Sequence, residues 1–423
     1  MIWEEIVLSD HIDVLTDYHA NGAYEKLKAN ITLKYEKDFA VMIRTLNFER
    51  ADFEKDLIYL SEIEYEFLSK SKVFHDDILM NKIADPGSVH LMPDLGCPVS
   101  LAMNLFLIRF KNSVNQRFMY YLMHFFEPYI KLYTNGAATS TITKDAVRKL
   151  KFRVPDINDQ KKIATILSAY DDLIENNLKR IKLLEEMAQI TYEEWFMRLK
   201  FPGHENTPLD SETGLPVGWK KLKLNSLAEF IFGYPFNSSQ FNTDNNGMPI
   251  IRIRNIPDSS TTDFTTEIVD VKYIVNTGDL LVGMDGEFYI NNWSSPPAYL
   301  VQRTCNIKPL NPQDMGFIGE AIKAPIKFYE STISGATVAH LGKKHLDEIE
   351  LIFPTKDADR LLPFFNELLS TKLNLAKQNQ LIKEARDILL PRLMTGMIDV
   401  EQLVLPELSS NTTLSPEQEP QTA

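Results

Sequence analysis

The chain has only two cysteines in 423 residues, Cys97 and Cys305, far apart and with no CxxC pair. That excludes a zinc ribbon and a disulfide scaffold and leaves buried free thiols as the expectation. No apolar run approaches the roughly 18–20 residues needed to span a bilayer. The opening MIWEEIVLSD carries acids where a signal peptide carries lysines, so a cytoplasmic protein without membrane contact is expected. GxxxxGK[ST], HExxH and GxSxG are all missing, as is a glycine-rich strand-to-helix loop for S-adenosylmethionine. No catalytic residue, metal or cofactor is therefore expected on this chain.

One segment imitates a catalytic motif. Trp293-Ser294-Ser295-Pro296-Pro297-Ala298-Tyr299 resembles the polar–proline–proline–aromatic loop with which amino-methyltransferases hold an extruded base. Ala298 stands where the stacking ring is needed, so turn residues before a strand are the better reading. The carboxylate pairs Asp76-Asp77 and Asp171-Asp172 are adjacent in sequence and point different ways in regular structure, which suits surface or capping roles rather than a shared metal. Positive charge is also scarce: 45 basic residues face 58 acidic ones, a net charge of −13. Phosphate affinity comes from lysine and arginine, so this balance disfavours nucleic acid. Five of those acids, however, lie in an end segment after Arg392 that has no basic residue.

What the sequence does contain is a repeat. GAATSTITKDAVRKLKFRVP, Gly136 to Pro155, returns as GATVAHLGKKHLDEIELIFP, Gly335 to Pro354, at an offset of 199 without a gap. Earlier echoes keep the same order. Trp3-x-x-Ile6-x-Leu8 matches Trp219-x-x-Leu222-x-Leu224, Met42 to Asn47 matches Ile250 to Asn255, and Asp77-Ile78-Leu79 matches Asp279-Leu280-Leu281. Such collinearity marks a duplicated unit.

After each proline comes a long charged segment of helical period. In the first, Ile163, Leu167, Tyr170, Ile174, Asn177 and Ile181 alternate spacings of four and three; in the second, Leu361, Leu368, Leu375, Ile382 and Leu389 stand seven apart. Both are coiled-coil seams, and about 35 residues at 1.5 Å each make a rod of roughly 50 Å. If the rods pair antiparallel about their centres, Asn177 falls opposite Asn379, a pair suited to fixing register. Within the compact parts MPIIRIRNI, KYIVNTGDLLVG and LIRF read as strands, and AVRKL and KHLDEI as short helices before a strand.

The arrangement gives an α+β fold: two tandem compact α/β units, each followed by a long helix. The expected boundaries are a first unit at 1–155, its helix at 156–200, a linker at 201–218, a second unit at 219–354, its helix at 355–397 and a disordered acidic tail at 398–423.

Two unlike recognition units with helices, LPVGW at Leu215 to Trp219, GDLLVGMDGEF at Gly278 to Phe288 and the stretch Gln160 through Phe196 together resemble the specificity subunit of type I restriction–modification systems. The first copy departs from this pattern. It lacks LPxGW, and Asp85-Pro86-Gly87 replaces the Met284-Asp285-Gly286 turn. The resemblance implies two target-recognition domains with mixed sheets and an antiparallel coiled coil of the two helices, in a chain without a catalytic centre, whose two units read the halves of a bipartite, asymmetric site on double-stranded DNA while the coiled coil sets their spacing. It further implies two modification subunits that carry S-adenosylmethionine and methylate adenine N6, and restriction subunits that use ATP and Mg. Trp195, Phe196 and Met187 are expected to dock the modification subunits, with packing inside the chain as the alternative. A non-DNA coiled-coil scaffold and a fused DNA-modifying enzyme are the rival readings.

The candidate DNA contacts are Arg44 and Asn47 in the first unit and Arg252, Arg254 and Asn255 in the second, since arginine forks onto guanine or phosphate and asparagine pairs with adenine edges. Arg44 and Arg252 recur in both copies, and a contact shared by readers of different sequences suits backbone positioning better than base readout. Lys144, Lys343 and Lys344, near the start of the short helices, are candidate phosphate contacts. Asn291, Asn292, Trp293 and His340 lie in the divergent middle of the second unit, where specificity is expected.

Overall fold

The structure, a computed structural model, describes residues 2–136, 140–333 and 339–404. Parts of the two echoing segments (137–139 and 334–338) and residues 405–423 of the expected tail lie outside the described residues. Two compact units divide the chain, Met1–Asp171 with Glu384–Ala423, and Asp172–Lys383.

The first unit contains strands β1 (Glu4–Val7), β2 (Ile12–Asp17), β3 (Ala40–Ile43), β4 (Ile58–Leu60), β5 (Lys72–Val73), β6 (Ile78–Asn81), β7 (Val89–Leu91), β8 (Val99–Leu101), β9 (Leu105–Phe110) and β10 (Lys151–Val154). They form a pair β1-β10 and two four-stranded sheets, β2-β9-β6-β7 and β4-β3-β8-β5. The second unit follows with β11 (Lys220–Lys223), β12 (Ala228–Phe232), β13 (Phe241–Asn242), β14 (Met248–Ile251), β15 (Phe264–Thr265), β16 (Ile274–Val275), β17 (Leu280–Gly283), β18 (Ile290–Asn292), β19 (Ala298–Leu300), β20 (Thr304–Pro309) and β21 (Glu350–Phe353). These make the pair β11-β21, the sheet β12-β20-β17-β18 and the sheet β13-β15-β14-β19-β16.

The two units therefore share one topology, the second unit adding the edge strand β13, and the registers show it residue by residue. Glu4 faces Val154 as Lys220 faces Phe353, so the tryptophan echo and the offset of 199 meet on the same rung. In each unit a single parallel pairing joins the two halves of the second sheet, β3 with β8 and β14 with β19, and the sheets are mixed for that reason. Asp77 and Asp279 play one role: each carboxylate accepts a backbone N–H three residues back, from Phe74 at 2.6 Å and Asn276 at 3.0 Å. Each carbonyl then accepts from the opposite strand, from Met92 at 2.9 Å and Trp293 at 2.8 Å. The expected strand MPIIRIRNI is shorter than its composition suggests. It ends at Ile251, and Ile253–Asn255 winds into a 3-10 turn because the Asn255 side chain caps the Arg252 N–H.

Each long helix, Ile157–Tyr192 and Ala358–Met394, is divided between the two units. Ile163 and Leu167 pack into the core of the first unit with Phe118, Leu122, Leu393 and Met394. Leu361, Phe365 and Leu368 pack into that of the second with Phe196 and Phe317. The contact is close enough to require glycine at 316, where a Cβ would lie 2.4 Å from the Phe365 carbonyl oxygen. In the second unit, Asn177 meets Asn379 and Glu185 meets Lys372, so numbers rise along one helix as they fall along the other and the pair runs antiparallel. In the first unit Arg386 bonds Asp171 at 2.6 Å in the same sense.

Two packing expectations need correction. Phe196 is fully buried and Trp195 packs on Phe364 and Phe365 at ring distances of 5.3 and 5.8 Å. A π-helical turn, Glu193–Met197, widens the end of the first long helix here and turns both rings into the core of the second unit. They are intramolecular packing groups, and Met187 alone of the three is exposed. Cys305 is buried, whereas Cys97 is exposed.

Candidate nucleic-acid interface

The recurring Arg-x-x-Asn segments build the same turn twice. Asn47 accepts the Arg44 backbone N–H at 3.0 Å and donates to the Asp52 carbonyl at 3.1 Å. Asn255 accepts that of Arg252 at 2.9 Å and donates to the Ser260 carbonyl at 2.7 Å. Both asparagines are buried, with oxygen and amide nitrogen turned onto the backbone rather than toward a base edge. The arginines differ. Arg44 bonds the Asp56 carbonyl, with its Nε buried. Arg252 lies 4.8 Å from the Phe241 ring centre and 3.6 Å from Asp263, which also takes the more exposed Arg254. Replacing Asn47 or Asn255 with alanine is expected to cost about 0.5–2 kcal/mol, the range for a lost cap. Thermal unfolding checks this, and an unchanged sequence preference of the variants separates turn-building from base reading.

Asn292 and Trp293 stand as corrections. Asn292 is buried and donates to the Gly278 carbonyl at 3.0 Å. Trp293 is 1% exposed, packs among Ile251, Ile256, Leu281 and Leu300, and donates its indole N–H to the Pro296 carbonyl at 2.8 Å. Its counterpart in the first unit is Met92, also buried, so this is a core position. Asn291 holds the chain just after the Arg-x-x-Asn turn, donating to the carbonyls of Ile256 at 3.1 Å and Pro257 at 2.8 Å, while its oxygen accepts from Lys372 at 3.0 Å.

Lys144 and His340 lie at corresponding sheet ends. In the first unit Lys144 and Lys82 both bond Asp17, at 2.8 and 2.7 Å, with their ammonium groups 5.9 and 5.2 Å from the Phe106 ring centre. Burial raises the Asp17 pKa, but the bonds and charges of the two lysines outweigh it and hold the carboxyl below its usual range. In the second unit His340 bonds Asp285, which also accepts Arg303 at 2.9 Å. Lys343 and Lys344 are exposed on the short helix Lys343–Glu348, and Lys344 lies 3.9 Å from Glu348. Sequence reasoning did not find Asp17, Lys82, Asp285 or Arg303; each meets its partner only through the fold.

Between the long helices, the Asn177 amide donates to the Asn379 oxygen at 2.9 Å, and Asn379 donates to the Ile174 carbonyl at 3.3 Å. Both side chains are buried. Among the described residues no group of three or more His, Cys, Asp or Glu could hold a metal ion, and no helix is long and apolar enough to cross a membrane.

Comparison with known proteins agrees with this arrangement. The family model described as the type I restriction modification DNA specificity domain matches residues 13–186 and 216–378, once for each repeat. The chain is 31% identical over 189 residues to the type I restriction enzyme EcoBI specificity subunit of Escherichia coli, covering 43% of this chain and 40% of that one. It is 23% identical over 314 residues to the MjaIX specificity subunit of Methanocaldococcus jannaschii, covering 69% of this chain and 71% of the relative. The aligned share is thus two-fifths of the first relative's length and about seven-tenths of the second's. The crystal structure of a type I restriction–modification S subunit from M. genitalium aligns with a TM-score of 0.56 at 16% identity over 93% of this chain and 96% of that one, a likeness of fold. With both repeats matched over more than half of its length, the chain belongs to the family of type I restriction–modification DNA specificity domains.

Proposed function

We propose that this chain is the sequence-specificity subunit of a type I restriction–modification complex, each repeat reading one half of a bipartite, asymmetric site on double-stranded DNA. The observation that carries this reading is one topology used twice with unlike side chains at corresponding places: Asp17, Lys82 and Phe106 of the first unit correspond to Phe232, Met284 and Cys305 of the second. A symmetric site would call for like readers, so divergence on a common frame fits unlike half-sites. The paired long helices would set the interval between them.

Chemistry would belong to partners: two modification subunits carrying S-adenosylmethionine for adenine N6 methylation, and restriction subunits using ATP and Mg. This chain would bring neither cofactor. Methylation mapping of DNA from a host that carries the system tests the reading. A single interrupted motif with two different halves is expected, lost when this chain is deleted. A contiguous or palindromic motif, or a motif that survives the deletion, speaks against it.

A further inference from the structure

The two units carry the same electrostatic device at the same sheet end, made from different positions. The frame is common to both. Where β6 and β9 meet, the Lys82 N–H donates to Asn104 at 2.8 Å and the Lys82 carbonyl accepts from Ile142 at 3.1 Å. Where β17 and β20 meet, the Met284 N–H donates to Arg303 at 2.9 Å and the Met284 carbonyl accepts from Leu341 at 2.7 Å. In both cases the segment leading into the short helix is tied to the end of a central strand.

On this frame the first unit sets Asp17 between Lys82 and Lys144. The second unit cannot repeat that arrangement, because Phe232 and Met284 occupy the places of Asp17 and Lys82. It nevertheless has one carboxylate, Asp285, joined to two basic side chains, Arg303 and His340. These come from the residue after Met284, from the counterpart of Asn104 and from the counterpart of Thr141. Arg303 and His340 are mostly exposed around Asp285, and exposed ion pairs contribute about 0–1 kcal/mol, too little for stability alone to account for a carboxylate with two nitrogen donors recurring there from other positions. The first cluster sets two ammonium groups against one carboxylate, and the second sets a guanidinium and an imidazole against one, within a chain whose net charge is −13.

We propose that these two sheet ends are the phosphate-binding clamps of the readers, Lys82 with Lys144 in the first and Arg303 with His340 in the second, and that Asp17 and Asp285 hold the donors in place. The inference deepens the function proposed above and rests on it. A lysine ammonium has three N–H donors, and Asp17 accepts one from each lysine. A device shared by two readers of different half-sites holds the duplex backbone and leaves sequence to the groups around it.

The test uses the full chain, purified with its modification partner, and duplexes carrying either the mapped site or a scrambled one, titrated with salt. Lys82→Met/Lys144→Met is expected to reduce the slope of log affinity against log salt by about 1 to 2. Affinity at low salt should fall at least about tenfold, with the preference for the mapped duplex kept. Arg303→Met should act in the same direction. Asp17→Asn, which keeps both ammonium groups and an amide oxygen to accept from them, should leave the slope intact, and Arg303→Met decides the matter if the double lysine variant fails to fold. An unchanged slope in both the lysine variant and Arg303→Met overturns the clamp while wild-type preference upholds the specificity reading. A wild-type complex with no preference between duplexes removes that reading and the clamp with it.

Discussion

Replacing Trp293 with alanine is expected to destabilise the second unit by about 3–5 kcal/mol, the cost of emptying a large aromatic site in a close-packed core. The indole is enclosed by residues of both sheets of its unit, Leu281 from one and Ile251, Val275 and Ala298 from the other. Its N–H has a partner in the Pro296 carbonyl, so the wild-type site carries no polar debt there. Urea unfolding should show one transition moved to lower denaturant and a second, belonging to the first unit, in place, since a chain of two compact units need not unfold in one step. The slope of DNA binding against salt should be unaltered in the folded variant. A loss below about 1 kcal/mol together with lost binding to the mapped site would return Trp293 to the DNA surface.

Asn177→Leu is expected to cost about 1–3 kcal/mol, because it leaves the Asn379 oxygen buried without the amide that now reaches it at 2.9 Å. The double variant Asn177→Leu/Asn379→Leu should recover most of that loss, since neither polar group remains and leucine suits a helix seam. A double-mutant cycle by chemical denaturation measures the difference, and a coupling of at least about 1 kcal/mol is expected for a pair in direct contact. Additive losses would show that the two amides act independently. Recovered stability with looser spacing between half-sites in the methylation pattern would mark the pair as the register pin of the helices.

Much of the fold was legible because a duplication leaves its register in the sequence. The offset of 199 and the tryptophan, arginine–asparagine and aspartate echoes all fall on equivalent rungs, and helix periodicity located both rods. The side chains were harder to place. Asn47 and Asn255 have the chemistry of adenine readers, yet the same amide satisfies a tight turn, and only burial separates the two uses. Trp293 stands among Asn291, Asn292, Ser294 and Ser295, a polar setting that suggests a loop, although pairing with the Asp279 carbonyl makes it the counterpart of buried Met92. The charged clusters left no local pattern at all. Residues 17, 82 and 144 meet only when three segments fold together, and 285, 303 and 340 do so by another route.

The second unit is one uninterrupted stretch, Asp172–Lys383, while the first takes Met1–Asp171 and then waits for Glu384 onward. Leu393, Met394 and Val400 lie in its core, and Lys162 bonds the Val400 carbonyl at 3.0 Å. On the ribosome, where chains emerge from the N-terminus and contiguous domains fold as they appear, the order of completion is inverted. The later-made reader can close first, and the earlier-made one stays unfinished until the last turns of the second helix leave the exit tunnel. Nascent chains stalled before residue 384 should accordingly expose to chaperones the part of the first unit's core that Leu393, Met394 and Val400 complete, and release of the final helix is the step that protects it.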